Sequence, residues 1–176
     1  MGIMKYNRIL VIGCSGAGKS TLSIELADRL HLPVLHLDAL FWNEGWVPTP
    51  KQEFREKLQT ELEKPAWIID GNFNSTIEMR AQYADLIIFL DFPNWLCLSR
   101  ILKRRWMYRG KTRPDMAEGC EEKVDWEFVK FIWTYPKKKR PGVFEMLWRS
   151  GAEVIVLKSP REVENWLRML DMGESN

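Results

Sequence analysis

Apolar positions fall along this chain in two rhythms that take turns. Short, nearly unbroken runs occur within Arg8–Ile12, Pro33–Asp38, Trp67–Phe73, Asp85–Asp91 and Glu153–Leu157. Runs of this length, rich in β-branched residues and closed by turn formers, predict strands. Between them apolar residues return every third or fourth position, which predicts helices. Thr21–Leu30 carries Leu22, Leu26 and Leu30, and the stretch from Thr49-Pro50 to Glu63 carries Phe54, Leu58 and Leu62. Ser75–Ala84 reads as a helix bearing Arg80. From Trp95 to Arg109 the apolar stripe is Trp95, Leu98, Leu102 and Trp106. Glu121–Tyr135 turns Val124, Phe128 and Phe131 or Ile132 inward and stops at Pro136. Val143–Arg149 is a short helix, and Ser159-Pro160 opens the last one, through Val163, Trp166, Leu167 and Leu170. Only Ala39–Pro48 is aromatic without a clear period. Strands alternating with helices, and runs apolar on both faces, predict an α/β fold whose parallel sheet is covered on both sides.

The junction between the first strand and first helix reads Gly13-Cys14-Ser15-Gly16-Ala17-Gly18-Lys19-Ser20. It fits the phosphate-loop pattern G-x-x-x-x-G-K-[ST] at every fixed position, in the strand–loop–helix context that pattern requires. The small residues let the loop turn its N–H groups inward, toward a polyphosphate at the positive end of the helix. Lys19 adds a mobile cation for the outer phosphates, and the Ser20 hydroxyl is placed for Mg²⁺. The expected cradle comprises Gly13, Ser15, Gly16, Ala17, Gly18, Lys19, Ser20 and Thr21.

Three predicted strands finish in aspartates: Asp38, Asp70 and Asp91. In such sheets the ligand site lies at the carboxyl edge, beside the phosphate loop. Asp91, before Phe92-Pro93, reads as a turn former. Asp70 is the candidate Mg²⁺ carboxylate, acting through water, and Asp38 is the candidate catalytic carboxylate. His36 reads as a strand histidine meeting a neighbour. Trp42 and Trp46, close behind Asp38, fit either a core or the wall of a substrate pocket for a ring or apolar group. Asn72 and Arg80 complete the candidate substrate residues.

Charge changes the picture by where it sits. The net charge is +2 over 176 residues, too small to imply a nucleic acid. Yet Arg100, Lys103, Arg104, Arg105, Arg109, Lys111 and Arg113 come with no acid until Asp115. Beside a phosphate loop this cluster is expected to clamp phosphates. Gly110–Asp115 breaks the helix as a mobile loop, with Arg113 the expected transition-state cation. The run Lys137–Arg140 reads as an exposed connector. Three widely spaced cysteines form neither a disulfide framework nor a metal set, and fit a reducing cytoplasm. No apolar run approaches a membrane span, so no membrane partner is expected.

Taken together, the chain resembles the adenylate-kinase-like branch of P-loop kinases. The loop Gly13–Ser20, Asp70-Gly71, Ala84–Asp91, Arg100-Ile101 with Arg104-Arg105, and Arg113-Pro114-Asp115 carry that likeness over nearly the whole chain. Leu37–Trp42, Asp70–Phe73 and Gly119–Glu122 look more narrowly like the group labelled DNA topology modulation proteins. The resemblance implies one P-loop domain over 1–176, a five-stranded parallel sheet in the order 2-3-1-4-5 between helical layers, and a short lid at 110–120. It implies ATP and Mg²⁺, Arg100 against the adenine or its phosphates, and Arg104 on phosphate. It departs at Asn74, where adenylate kinases hold a monophosphate with arginine, and the lid lacks a zinc cysteine set. Two functions follow: a kinase acting on a small-molecule acceptor, a nucleotide among the candidates, as monomer or homodimer; or an ATP-binding regulator of DNA topology that contacts nucleic acid through its basic segments.

Overall fold

The computed structural model describes residues 6–108, 120 and 125–173. In chain order, β1 (Arg8–Gly13) leads through the glycine loop into α1 (Lys19–Leu30). β2 (Val34–His36) is followed by a short helix, α2 (Leu37–Phe41), and a two-stranded ribbon, β3 (Trp42–Asn43) and β4 (Val47–Pro48). Then come α3 (Lys51–Leu62), β5 (Trp67–Asp70), α4 (Asn74–Ala81), β6 (Leu86–Leu90) and α5 (Asn94–Met107). α6 (Trp126–Lys138), α7 (Arg140–Trp148), β7 (Glu153–Leu157) and α8 (Pro160–Gly173) complete the described chain.

Five strands form one parallel sheet in the order β2-β5-β1-β6-β7. Numbered among themselves, they run 2-3-1-4-5, as the resemblance implies. β1 sits in the middle, and its Ile9–Ile12 are wholly buried, as are Leu86–Phe89 of the neighbouring β6. That double-sided burial explains why these strands are apolar throughout rather than alternating. The chain leaves β1 toward β2 on one side and later crosses to β6 on the other. The carboxyl end of β1 is therefore the point where the winding reverses, and the glycine loop sits there.

Three features differ from the sequence reading. The stripe of α5 faces the wrong way: Trp95 is 62% exposed, Leu102 52% and Trp106 77%, while Cys97 and Ile101 are buried. Two apolar faces compete on this helix, and the tight fit against the glycine loop selects the second. A Cβ on Gly16 would stand 2.3 Å from the Cys97 carbonyl oxygen, so this face seats against the loop backbone itself.

The helix expected to end at Pro136 runs on to Lys138. Proline removes one donor and crowds the carbonyl four residues back, but the Lys139 N–H still reaches the Tyr135 carbonyl at 3.0 Å. With Tyr135 and Ile132 buried in the core, tertiary packing carries the helix past it.

Asp91 is more than a turn former. Its two oxygens accept from Arg140 Nε and Nη2 at 2.7 and 2.6 Å, and Arg140 also lies over the Phe144 ring at 4.9 Å. The run Lys137–Arg140 is thus divided. Lys137, Lys138 and Lys139 are exposed, whereas Arg140 ties the start of α7 to the end of β6.

Candidate nucleotide and acceptor site

The glycine loop folds as its residue types require. Gly16 adopts φ +85°, and Gly18, at φ +97°, is the N-cap of α1 with no side-chain cap bond. The first turn of α1 therefore presents backbone N–H groups, and the positive end of the helix dipole, to whatever lies over the loop. The loop closes on itself through Ala17 N–H to the Cys14 carbonyl at 3.0 Å. Asn72 braces it from the end of β5, its Oδ1 accepting from the Gly13 N–H at 3.3 Å.

Lys19 folds back over this loop and donates to the carbonyls of Gly13 and Cys14 at 3.0 and 3.2 Å. Its burial lowers the ammonium pKa below the ordinary range; the charges of Asp38 and Asp70 oppose that, and Arg104 adds to it. One lysine thus feels Asp70 at the end of β5, the α5 arginine, and Asp38, which lies in the first turn of α2 rather than ending a strand, because β2 stops at His36. Asp70 is buried and takes a 2.7 Å contact from His36 Nδ1, so His36 does meet a neighbour, and that neighbour is in the site. Arg100 donates to the Ala17 carbonyl at 3.2 Å and lies 5.4 Å over the Phe92 ring. The inward turn of α5 on Cys97 and Ile101 is what brings Arg100 and Arg104 round to the loop.

These groups share one cleft of about 1020 Å³. Its floor is Ser15–Thr21. One side carries His36, Asp38, Asp70, Trp42 and Trp46; Arg100, Arg104 and Tyr108 of α5 and its C-terminal end, with Phe128 of α6, stand over it; Pro160, Val163 and Glu164 of α8 line the opposite side. That division follows from the sheet, where β2 and β7 are its two edges. The tryptophan rings are 5.4 Å apart in an edge arrangement. They sit on the β3–β4 ribbon, whose turn holds both Gly45 and Trp46 at positive φ, +72° and +65°. A bulky residue in that backbone region is costly, and here it aims the indole at the cleft. Cys120, buried, reaches the Asn43 carbonyl of the same ribbon at 3.3 Å.

Arg80 requires a correction. Expected among the substrate residues, it is completely buried and does not line the cleft. It donates to Thr76 Oγ1 at 3.1 Å, to the carbonyls of Gly71 at 2.9 Å and Phe73 at 3.3 Å, and to that of Asn72. Its guanidinium holds the turn after β5, where Phe73 stands at φ +30°. Gly13 and Asn72 likewise support the loop rather than line the cleft. Arg113 and the expected lid lie outside the described residues, apart from Cys120.

Sequence reasoning passed over His36 as a partner of Asp70, and also a pair of thiols. Cys14 in the loop and Cys97 on α5 are both buried, and the neighbouring Cys97 together with burial pushes the Cys14 thiol pKa up. Nothing in their spacing announces that contact, since it depends on which face of α5 turns inward.

Residues 9–127 match the sequence model of the family described as AAA domain. The chain belongs to that family. This AAA domain protein is 33% identical over 184 residues to the uncharacterized protein YqaC of Bacillus subtilis strain 168, covering 98% of this chain and 100% of the relative. Among solved structures it is similar to the shikimate kinase of Acinetobacter baumannii in complex with shikimate, with TM-score 0.59 and 18% identity over 97% and 96% of the two chains. The deoxyadenosine kinase of M. mycoides with bound dATP gives TM-score 0.52 and 16% identity over 94% and 99%. At such identities the likeness establishes the fold: a P-loop α/β sheet flanked by helices. Among the described residues no helix is long and apolar enough to cross a membrane.

Proposed function

We infer that this protein is a kinase, passing the γ-phosphoryl group of ATP to a hydroxyl of a small, ring-bearing acceptor. One observation carries the reading: Asp38 of α2 and Asp70 at the end of β5 line, together with the P-loop lysine and two tryptophans, a single cleft. Phosphoryl transfer needs cations on the transferring oxygens and a carboxylate near the attacking hydroxyl, and this cleft offers both.

The acceptor lies on the β2 side, against Trp42 and Trp46, with its hydroxyl toward Asp38. The acceptor oxygen attacks the γ-phosphorus, the bond to the β–γ bridging oxygen breaks, and the hydroxyl proton passes to an Asp38 oxygen. Lys19 and Arg104 lie against the phosphates. Arg100 and the α8 side of the cleft take the nucleoside end of ATP. Arg113, from the lid, remains the proposed transition-state cation. With Arg80 committed to the turn after β5, an acceptor phosphate has no claim on it, which favours an unphosphorylated alcohol such as a nucleoside. The names of the similar folds, kinases of shikimate and deoxyadenosine, support the same choice.

The donor set fits Mg²⁺. Ser20 and Asp70 would supply hard oxygen ligands, and a nucleotide-bound Mg²⁺ needs only one or two protein groups beside the phosphates. Among the described residues no group of three or more His, Cys, Asp or Glu forms an all-protein metal cage. Bound with ATP, the ion would neutralise charge on the β- and γ-oxygens.

The test is ADP release from Mg-ATP in a panel of nucleosides, other hydroxylated metabolites and nucleoside monophosphates. Release that depends on an unphosphorylated alcohol and is lost in Asp38→Asn is the expected result. Release stimulated only by monophosphates, or no ATP binding at all, would overturn the reading.

A further inference from the structure

Five of the nine tryptophans in this chain are more than half exposed: Trp95, Trp106, Trp126, Trp133 and Trp148. Indoles are costly to leave in water, and a contiguous exposed patch of them marks a surface that something else covers. Four of the five lie on α5 and α6. The two helices pack against each other with their directions opposed: Asn94 at the start of α5 donates to the Trp133 carbonyl at 3.1 Å, while Tyr108 just past the other end of α5 lines the cleft with Asp125 and Phe128.

Helical spacing fixes which way the side chains lie. The core-facing residues are Cys97 and Ile101 on α5 and Ile132 and Tyr135 on α6. Measured from those, Trp95, Leu102 and Trp106 point outward from α5, and Trp126, Lys130, Trp133 and Lys137 share one flank of α6 at intervals of four, three and four. At 1.5 Å per residue the indoles are about 16 Å apart along α5 and about 10 Å along α6, in two rows whose helices stand about 8–10 Å apart. The four indoles are therefore spread in two dimensions over two packed helices, not strung along one line.

The patch is also cationic. Lys103, Arg105, Lys130, Lys137 and Lys138 are exposed on these two helices, and α5 holds no acid at all. Asp125, the N-cap of α6, and Glu127 in its first turn are the exceptions among the described residues. Like charge argues against a second copy of this face, and indoles spread over two rows argue against a single strand or a peptide helix, each of which follows one track. A flat, anionic surface that accepts indoles at its boundary is the headgroup layer of a bilayer, where tryptophan and lysine stems settle together.

We propose that the outer face of α5 and α6 is a peripheral docking surface for anionic membranes, with Trp95, Trp106, Trp126 and Trp133 entering the headgroup layer and the lysines pairing with lipid phosphates. The sequence predicts no membrane partner because it looks for a span, and these residues sit on helices too short and too charged to be one. Docking is independent of the phosphoryl-transfer reading, since none of these tryptophans or lysines lines the cleft.

The experiment is co-sedimentation and tryptophan emission of the full chain with vesicles of phosphatidylcholine alone or with about one-third phosphatidylglycerol. Binding to the anionic vesicles, a blue-shifted emission and loss on raising salt are expected. Trp126→Ser with Trp133→Ser should weaken binding at least tenfold, and Lys130→Glu with Lys137→Glu likewise, since each lysine lost costs about fivefold or more. Both pairs are exposed, so circular dichroism should match the wild type. Equal binding to neutral and anionic vesicles, binding unchanged in both double variants, or no vesicle binding together with salt-dependent binding to an oligo-dT strand would each overturn the proposal.

Discussion

Lys19 carries its charge where burial works against it, and that makes it a reporter of what enters the cleft. In the free protein its pKa lies below the ordinary 10.5, chiefly through desolvation. Phosphate oxygens favour the ammonium form, so binding ATP raises that pKa again. Binding then takes up a proton once the pH exceeds the free protein's value. Affinity should be flat at lower pH and weaken as pH rises from the lowered value toward 10.5. Calorimetry across that range should show the loss in wild type, and Lys19→Ala should bind weakly with no such dependence. Turnover in Lys19→Ala should drop by roughly a hundredfold or more, the scale of a lost transition-state cation. A wild-type affinity indifferent to alkaline pH would show that Lys19 does not meet the phosphates. At the same scale the glycine loop and its place between β1 and α1 were legible in the sequence, because that pattern is local. It missed the partner of His36 and the fate of Arg80, because both depend on the β2–β5 register and the turn after β5.

Two element contacts decide whether the site is assembled. The first is α5 against the glycine loop, where Gly16 leaves no room for a side chain and occupies a backbone region that L residues rarely adopt. Gly16→Ala should cost more than about 1 kcal/mol in stability and displace α5, so ATP binding through Arg100 fails along with the loop. Urea denaturation and calorimetry read the two effects. Unchanged values in both would mean that the contact is slack. The second is the Asp91–Arg140 pair joining β6 to α7. Its geometry is bidentate, but the Arg140 side chain is 38% exposed, so solvent screening limits its worth. Asp91→Ala should lower stability by about 1 kcal/mol with little change in ATP affinity. A loss of ATP binding without loss of stability would instead make Asp91 a site residue. Sequence periodicity gave the existence of α5 and left its orientation undetermined, since Trp95, Leu102 and Trp106 make as good a stripe as any. Only the close approach to Gly16 chooses the face.

For the whole molecule, the alternation of buried strands with helices was enough to read a parallel sheet covered on both sides, while its 2-3-1-4-5 order was what the family resemblance implied. The β3–β4 ribbon was not legible. Its turn depends on Gly45 and Trp46 at positive φ, which no period encodes, yet it brings both tryptophans to the cleft. On the proposed reading the site is divided: the nucleotide side is written in a local motif, while the proposed acceptor side, Asp38, Asp70 and the ribbon, is brought together by the fold. The central claim is that these two halves are one phosphotransferase. Its most direct measurement is the position of label after incubating the purified protein with γ-³²P-ATP, Mg²⁺ and a mixture of unphosphorylated nucleosides and related alcohols. The account predicts label in a phosphorylated alcohol, reduced by Asp38→Asn and by Trp42→Ala, with ATP binding retained in both. Label recovered only as inorganic phosphate, at a rate indifferent to the acceptors and to both substitutions, would contradict it.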